Sequence, residues 1–239
     1  MTSVDARFVA RLFPAQVSVA IATEQMFEMP LLAGESALIE GAVAKRRREF
    51  AGGRNAARAA LDALGFAPMP ILRRDARAPA WPEGAVGSIT HCADFVCAVA
   101  ARSSRFVSLG IDAERAQRME AGLAELVCRE DEFSHFAELP AIDGVDWAAI
   151  AFSAKEAAYK CLSFMLDAIL DFRDVSLRFA AADNRRAGRF QIDACARCPE
   201  LETAGLIGRW AVTGTMILSS AYICKGRVVD APGLEPGTR

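Results

Sequence analysis

The sequence predicts an α+β fold built as two halves of similar size with a cleft between them. Three observations predict it. A strand–helix–strands order occurs twice, dividing near residue 110. Long stretches of helical spacing occur in both halves. The chain has 239 residues and 53% hydrophobic content, enough to bury a real core and too apolar for a disordered chain. The expected organisation is an N-terminal α+β half over 1–110, a C-terminal α+β half over 111–229 and a disordered Pro/Gly-rich tail over 230–239.

The elements follow in order. Residues 14–23, "PAQVSVAIAT", alternate apolar and small residues and read as a strand. Residues 35–64 read as a helix, with Phe50, Ala57, Leu61 and Leu64 at helical spacing and Gly65 where a C-terminal cap belongs. Gly52-Gly53 weakens that helix and allows a break there. "RRDARAPAWPEG" is a Pro-containing loop. "AVGSITHC" and "FVCAVAARS" read as two strands joined by a turn, and "RFVSLGIDAE" as a third. Residues 118–137 and 147–166 read as helices, and "VSLRFA", "GRFQIDA", "GRWAVTGTMI" and "LSSAYICK" as successive strands.

Composition narrows the function classes. A net charge of −2 provides no global drive toward nucleic acid, so any basic site must be local. The N-terminus "MTSVDARFVARLFPAQ" carries Asp5 and lacks a long apolar core, which makes it a poor secretory signal. No stretch approaches the ~20 apolar residues that a membrane span requires. A cytoplasmic chain that binds neither membrane nor nucleic acid is expected. The 7 Cys are odd in number, and "CARC" at Cys195–Cys198 stands alone, without the second ligand pair of a structural zinc site. Reduced thiols are the expected state.

Four stretches could carry chemistry. In "GIDAE", Asp112 and Glu114 are two apart at the end of an apolar strand, so both carboxylates point to one face. Side by side they repel, and a divalent cation with hard oxygen ligands resolves the repulsion; a solvated strand end is the bland reading. In "AFSAKEAAYKCL", Glu156 could complete a three-carboxylate site. Lys155 and Lys160 would face phosphate oxygens, with Lys160 one turn after Glu156. A solvated ion pair is the competing account. In "KRRREFAGGRNAAR", Arg47, Arg54 and Arg58 lie near one helical stripe beside the apolar face, which suits a bidentate grip on phosphate; the alternatives are a nucleic-acid patch or a solvated face. In "WPEGAVGSITHCADF", His91 follows an apolar strand, and with Ser88 and Thr90 it could bond a phosphate rather than serve as a core histidine. Neither a Walker loop nor a nucleophile elbow is present.

Together, "RRREFAGGRNAARAAL", "PAWPEGAVGSITHC", "GIDAE" and "FSAKEAAYK" resemble the Sfp-type 4′-phosphopantetheinyl transferases, in family order and over roughly residues 45–162. The likeness is to their enterobactin-synthase-component branch in particular. The resemblance implies a pseudo-twofold monomer of two α+β halves with the active site in the cleft. It implies coenzyme A as substrate and Mg²⁺, with Mn²⁺ as the alternative, on its pyrophosphate. It implies transfer of the phosphopantetheine arm to a serine of an apo acyl or peptidyl carrier protein, releasing 3′,5′-ADP, in fatty-acid, polyketide, nonribosomal-peptide or siderophore synthesis. Carried over residue by residue, Asp112, Glu114 and Glu156 are the metal carboxylates. Arg46, Arg54, Arg73, Thr90, His91, Asp112, Lys155 and Lys160 bind coenzyme A, and Glu156 and Lys155 are catalytic. Periodicity aligns Arg47 rather than Arg46 with Arg54. Phe152 stands where many family members have Trp, and Glu132 in "REDEF" is the candidate for a further acid. A non-catalytic coenzyme A or nucleotide-binding regulator is the alternative, and a nucleic-acid-binding protein a second one.

Overall fold

The computed structural model describes residues 4–74, 78–163, 170–183, 185–195, 198 and 205–226. The expected tail, the end of the 147–166 helix and the middle of the 73–84 loop lie outside them. Two antiparallel sheets form the frame. The first has the order β1-β3-β2, from β1 (Ser18–Ile21), β2 (Ala85–Cys92) and β3 (Phe95–Arg102). The second has the order β4-β8-β7-β6-β5, from β4 (Phe106–Arg115), β5 (Val175–Ala181), β6 (Ala187–Cys195), β7 (Ile207–Thr213) and β8 (Met216–Cys224). The fold is α+β. Residue 110 falls inside β4, which belongs wholly to the second sheet, so the chain changes sheets in the turn just before Phe106.

One long helix covers each sheet. In the first half it is α3 (Ala44–Asp62), whose Ala56, Ala57, Ala60 and Leu61 pack on Ala98 and Ala100 of β3. The expected start at residue 35 is corrected: Ser36–Ile39 is a short 3-10 turn, and Gly41 at φ 75° ends it before α3 begins. The break that the glycine pair allows does not occur. A Cβ on Gly52 would meet the Phe27 ring at 2.6 Å, and one on Gly53 would meet Ile89 at 3.1 Å. Close packing of α2 (Glu24–Glu28) and β2 on the helix explains the two glycines.

In the second half the long helix is α6 (Trp147–Leu162), capped by the Asp146 carboxylate on the Ala149 N–H. It crosses β4 at Gly110, where a Cβ would lie 1.9 Å from the Ala157 carbonyl oxygen. The helix expected over 118–137 is two, α4 (Ala121–Val127) and α5 (Glu130–Phe136), separated at Cys128-Arg129, both in extended conformation. Thr215 belongs to the β7–β8 turn rather than to a strand, and Gly214 supplies its positive φ of 53°.

A third apolar cluster joins the halves. Val9, Leu12 and Phe13, in and just after α1 (Ala6–Ala10), pack with Val99 of β3 and with Phe106, Ile111 and Tyr222 of β4 and β8. β2 and β4 run side by side without a ladder and are tied by side chains. Ser88 Oγ accepts from the Ile111 N–H at 3.2 Å, and Thr90 Oγ1 accepts from the Ala113 N–H at 3.1 Å. That seam fixes where the cleft floor lies.

Candidate active site

Strand alternation sorts the β2 side chains. Ser88 and Thr90 turn toward β4, while Ile89 and His91 turn toward α3 and the cleft. A cavity of about 700 Å³ opens there between α3, β2, β4 and α6. Its walls carry Arg46, Arg54, Arg73, His91, Glu156 and Lys160, six residues that the sequence pattern singles out.

The cationic wall has distinct environments. Arg46 Nη1 bonds His91 Nε2 at 2.8 Å. Arg54 is buried, with its guanidinium 4.4 Å from the centre of the Phe50 ring. Its Nε lacks a hydrogen-bond partner among the described residues, and burial draws its pKa down to about 10. A buried cation with an unused donor is costly until an anion meets it. Arg73 stands at the exposed rim, with Nη2 3.5 Å from the Leu38 carbonyl. Lys160 Nζ donates to Asp112 Oδ1 at 2.6 Å and to the Ile111 carbonyl at 3.2 Å, which leaves one N–H for the cavity.

The acidic end lies at the tip of β4. Asp112 is buried; Oδ1 accepts from Lys160 and from Thr90 Oγ1 at 3.4 Å, while Oδ2 is buried and has no partner among the described residues. Burial and then the Asp112 charge push the Glu114 carboxyl up to about 7. Burial raises Glu156 as well, with Asp112 adding to the shift and Lys160 opposing it. The three carboxylates therefore feel one another in a desolvated corner.

Among the described residues, no group of three or more His, Cys, Asp or Glu side chains is assembled to hold a metal. The donor set nonetheless fits a hard divalent cation. Mg²⁺ takes one or two carboxylates plus water and substrate phosphate rather than an all-protein cage. The orphaned Asp112 Oδ2 and the raised Glu114 and Glu156 carboxyls are the oxygens such an ion would relieve.

Two expected coenzyme A contacts are corrected. Lys155 lies on the other side of α6 and is buried. Its Nζ donates to Glu132 Oε2 at 2.6 Å, to the Val127 carbonyl at 2.8 Å and to the Phe172 carbonyl at 2.9 Å. All three N–H groups are spent, so none remains for phosphate or for catalysis. Glu132, the further acid, is the partner in that buried pair and is remote from the cleft. Thr90 is likewise buried, and its hydroxyl is occupied by Asp112 and the Ala113 N–H, so it ties β2 to β4 and leaves no hydroxyl donor for a phosphate.

The helical stripe also misleads. Arg46 lines the cavity, whereas Arg47 bonds the Ala42 carbonyl and lines a separate hollow beside Phe27. Arg46 stands in the first turn of α3, and its long stem reaches His91 from there. Glu49, Trp81 and Tyr159 also line the cleft and were missed. Trp81 carried a legible signal, a lone Trp in a Pro-containing polar loop. Glu49 reads as an ordinary partner of Lys45 one turn away, and that pair does form at 3.9 Å.

Comparison with known proteins bears on this arrangement. The family described as "4′-phosphopantetheinyl transferase N-terminal domain" matches residues 34–101, and "4′-phosphopantetheinyl transferase superfamily" matches residues 108–213. The chain is 37% identical over 225 residues to 4′-phosphopantetheinyl transferase PptT of Mycobacterium tuberculosis, covering 90% of this chain and 97% of that one. It is 37% identical over 193 residues to the transferase Svp of Streptomyces mobaraensis, covering 79% and 77%. Enterobactin synthase component D of Escherichia coli is 32% identical over 146 residues, 59% of this chain and 66% of that one. The two matched regions meet between 101 and 108, where the chain passes from the first sheet to the second. With both regions and nearly the whole of PptT accounted for, the chain belongs to the 4′-phosphopantetheinyl transferase superfamily.

Proposed function

We propose that the chain transfers the 4′-phosphopantetheine arm of coenzyme A to a serine of an apo acyl or peptidyl carrier protein and releases 3′,5′-ADP. The observation that carries this reading is the convergence of Arg46, Arg54, Arg73, His91, Lys160 and Glu156 on one cavity, with Asp112 bonded to Lys160 behind that wall and Glu114 close enough to feel the charges of Asp112 and Glu156. A ligand with three phosphates, two of them in a diphosphate, matches that distribution of charge.

Asp112, Glu114 and Glu156 are the residues that would hold Mg²⁺. When bound, the ion neutralises charge on the diphosphate. Lys160, with one donor free, and Arg46 orient the diphosphate. Arg54 presents its unused Nε to the 3′-phosphate, with Arg73 at the rim. Glu156, whose carboxyl burial holds above the ordinary range, accepts the serine proton. The serine oxygen then forms its bond to the phosphorus carrying pantetheine, and the bridging P–O bond breaks toward 3′,5′-ADP. The cationic wall stabilises the charge that the leaving phosphate gains.

Intact-mass spectrometry tests the reading. Apo carrier proteins incubated with the chain, coenzyme A and Mg²⁺ should gain one phosphopantetheine, and EDTA should stop the gain. Tight coenzyme A binding with no modified carrier, across fatty-acid, polyketide and peptide carriers, would instead support a non-catalytic regulator.

A further inference from the structure

A carboxylate on the wall of an anion-binding cleft works against its ligand, and Glu49 is such a group. Its side chain is 15% exposed; Oε2 lies 3.8 Å from His91 Nδ1 and 3.9 Å from Arg46 Nη1, and Oε1 lies 3.9 Å from Lys45 Nζ. The bond between Arg46 Nη1 and His91 Nε2, at 2.8 Å, fixes the state of the ring. A guanidinium has no acceptor, so Nε2 must be the unprotonated, accepting nitrogen. The one proton of the neutral ring is then on Nδ1, the edge that faces Glu49. A neutral His91 in this tautomer turns its single donor to Glu49, and its Nε2 lone pair would repel a phosphate.

We propose that Glu49 is a positioning residue that lets His91 take up a proton when a coenzyme A phosphate enters the cleft. The inference rests on the reading of the cleft as a coenzyme A site. Arg46 turns from the ring to the phosphate. A proton from solvent adds to Nε2, and the imidazolium then donates Nε2–H to phosphate and Nδ1–H to Glu49. No covalent bond other than N–H forms.

The charges facing the ring set the balance. Arg46 on α3 and Lys160 on α6 oppose protonation; Glu49 on α3 and Asp112 on β4 favour it; burial opposes it most and holds the free ring below 6.5. The diphosphate adds negative charge and removes Arg46 from Nε2, which tips the ring to its charged form. The sign follows. If binding raises the ring's pKa, uptake occurs between the free and bound values, and affinity falls as pH rises through the bound value.

The test is calorimetry of coenzyme A binding in EDTA, in buffers of different ionisation enthalpy, from pH 6 to 8.5. The wild-type chain should take up roughly half to one proton near pH 7 relative to His91→Gln. Glu49→Gln keeps an oxygen for Nδ1–H and removes the charge. Its proton uptake should shrink, and its affinity should fall about tenfold at pH 8. Near pH 6 the order should reverse, because a repelling charge is gone. The chain has 2 His, so imidazole NMR can follow His91 directly in the free and bound protein. A Glu49→Gln variant that binds coenzyme A more tightly at every pH, with an unchanged proton count, would show that Glu49 only repels the ligand. Uptake that persists in His91→Gln, or an NMR titration of His91 unmoved by coenzyme A, overturns the proposal as well. Failure of the wild-type chain to bind coenzyme A at all sinks the coenzyme A reading itself, whereas binding without uptake sinks only the role of Glu49.

Discussion

Replacing Lys155 with Met should unfold the chain more easily and leave coenzyme A affinity nearly untouched. Met keeps an unbranched stem of similar length but removes the charge and three donors. In the native chain those donors meet Glu132 Oε2, the Val127 carbonyl and the Phe172 carbonyl. The Lys155 and Glu132 side chains are 3% and 0% exposed. After the change the Glu132 carboxylate would remain buried, still accepting from the Arg129 and Leu177 N–H groups but without its bonded cation. Two carbonyls would lose their donor. Removing one partner of a buried pair costs about 3–5 kcal/mol, a large part of the 5–15 kcal/mol that holds a typical domain together. The assay is urea unfolding followed by circular dichroism, beside calorimetric titration of coenzyme A. The urea midpoint should drop sharply while the dissociation constant stays within about twofold, because Nζ points away from the cavity. The double variant Lys155→Met, Glu132→Gln should lose less than the sum of the single losses, since neither charge is then left alone. A Lys155→Met protein with the wild-type midpoint and coenzyme A affinity weakened beyond tenfold would refute the placement of Lys155 as structural.

The cleft residues carry the other expectations. Asp112→Asn removes the charge from a carboxylate whose Oδ2 has no partner among the described residues, so carrier modification should fall by orders of magnitude while coenzyme A still binds in EDTA; single-turnover mass spectrometry beside calorimetry reads both. Arg54→Ala should weaken coenzyme A by about 1.5–3 kcal/mol, and Arg54→Lys should restore little, because a point charge does not reproduce a planar fork stacked on Phe50. Gly110→Ala forces a methyl against the Ala157 carbonyl and should lower the melting temperature and cut carrier modification, by pushing α6 away from β4; a variant with unchanged melting would show that the helix can retreat freely.

What could be read from sequence follows from which interactions are local. Short apolar runs joined by a turn placed β2 and β3, and strand alternation identified the shared face of Asp112 and Glu114 on β4, because side-chain direction in a strand depends on neighbours two residues away. The cap at Gly65, with φ 81°, was legible for the same reason. The continuity of α3 through Gly52-Gly53 was not, since it depends on the Phe27 ring and Ile89, far along the chain. Helix α1 has one buried residue, Val9, and too few turns to show periodicity. Arg46 and Arg47 were confused because a helical wheel records the direction of Cβ, and an arginine stem can carry its charge well beyond that direction.

The dipeptide Lys155-Glu156 makes the same point within the site. Adjacent residues on a helix diverge by about 100°, so Lys155 and Glu156 need not share a wall, and of the two only Glu156 lines the cavity. The four-residue step from Glu156 to Lys160 keeps one face, and both line the cavity. The step back to Lys155 crosses to the face that packs on α5 and the Phe172 turn, where Glu132 waits as a buried counter-charge. One run of residues thus serves two purposes. Lys155 pins α6 to the layer behind it, and that anchorage fixes the rotation of the helix about its axis. With rotation fixed, Glu156 and Lys160 can face Asp112 across the cleft floor. Lys155 influences the site by setting that angle, which is why its loss should register in the unfolding midpoint before it registers in coenzyme A affinity.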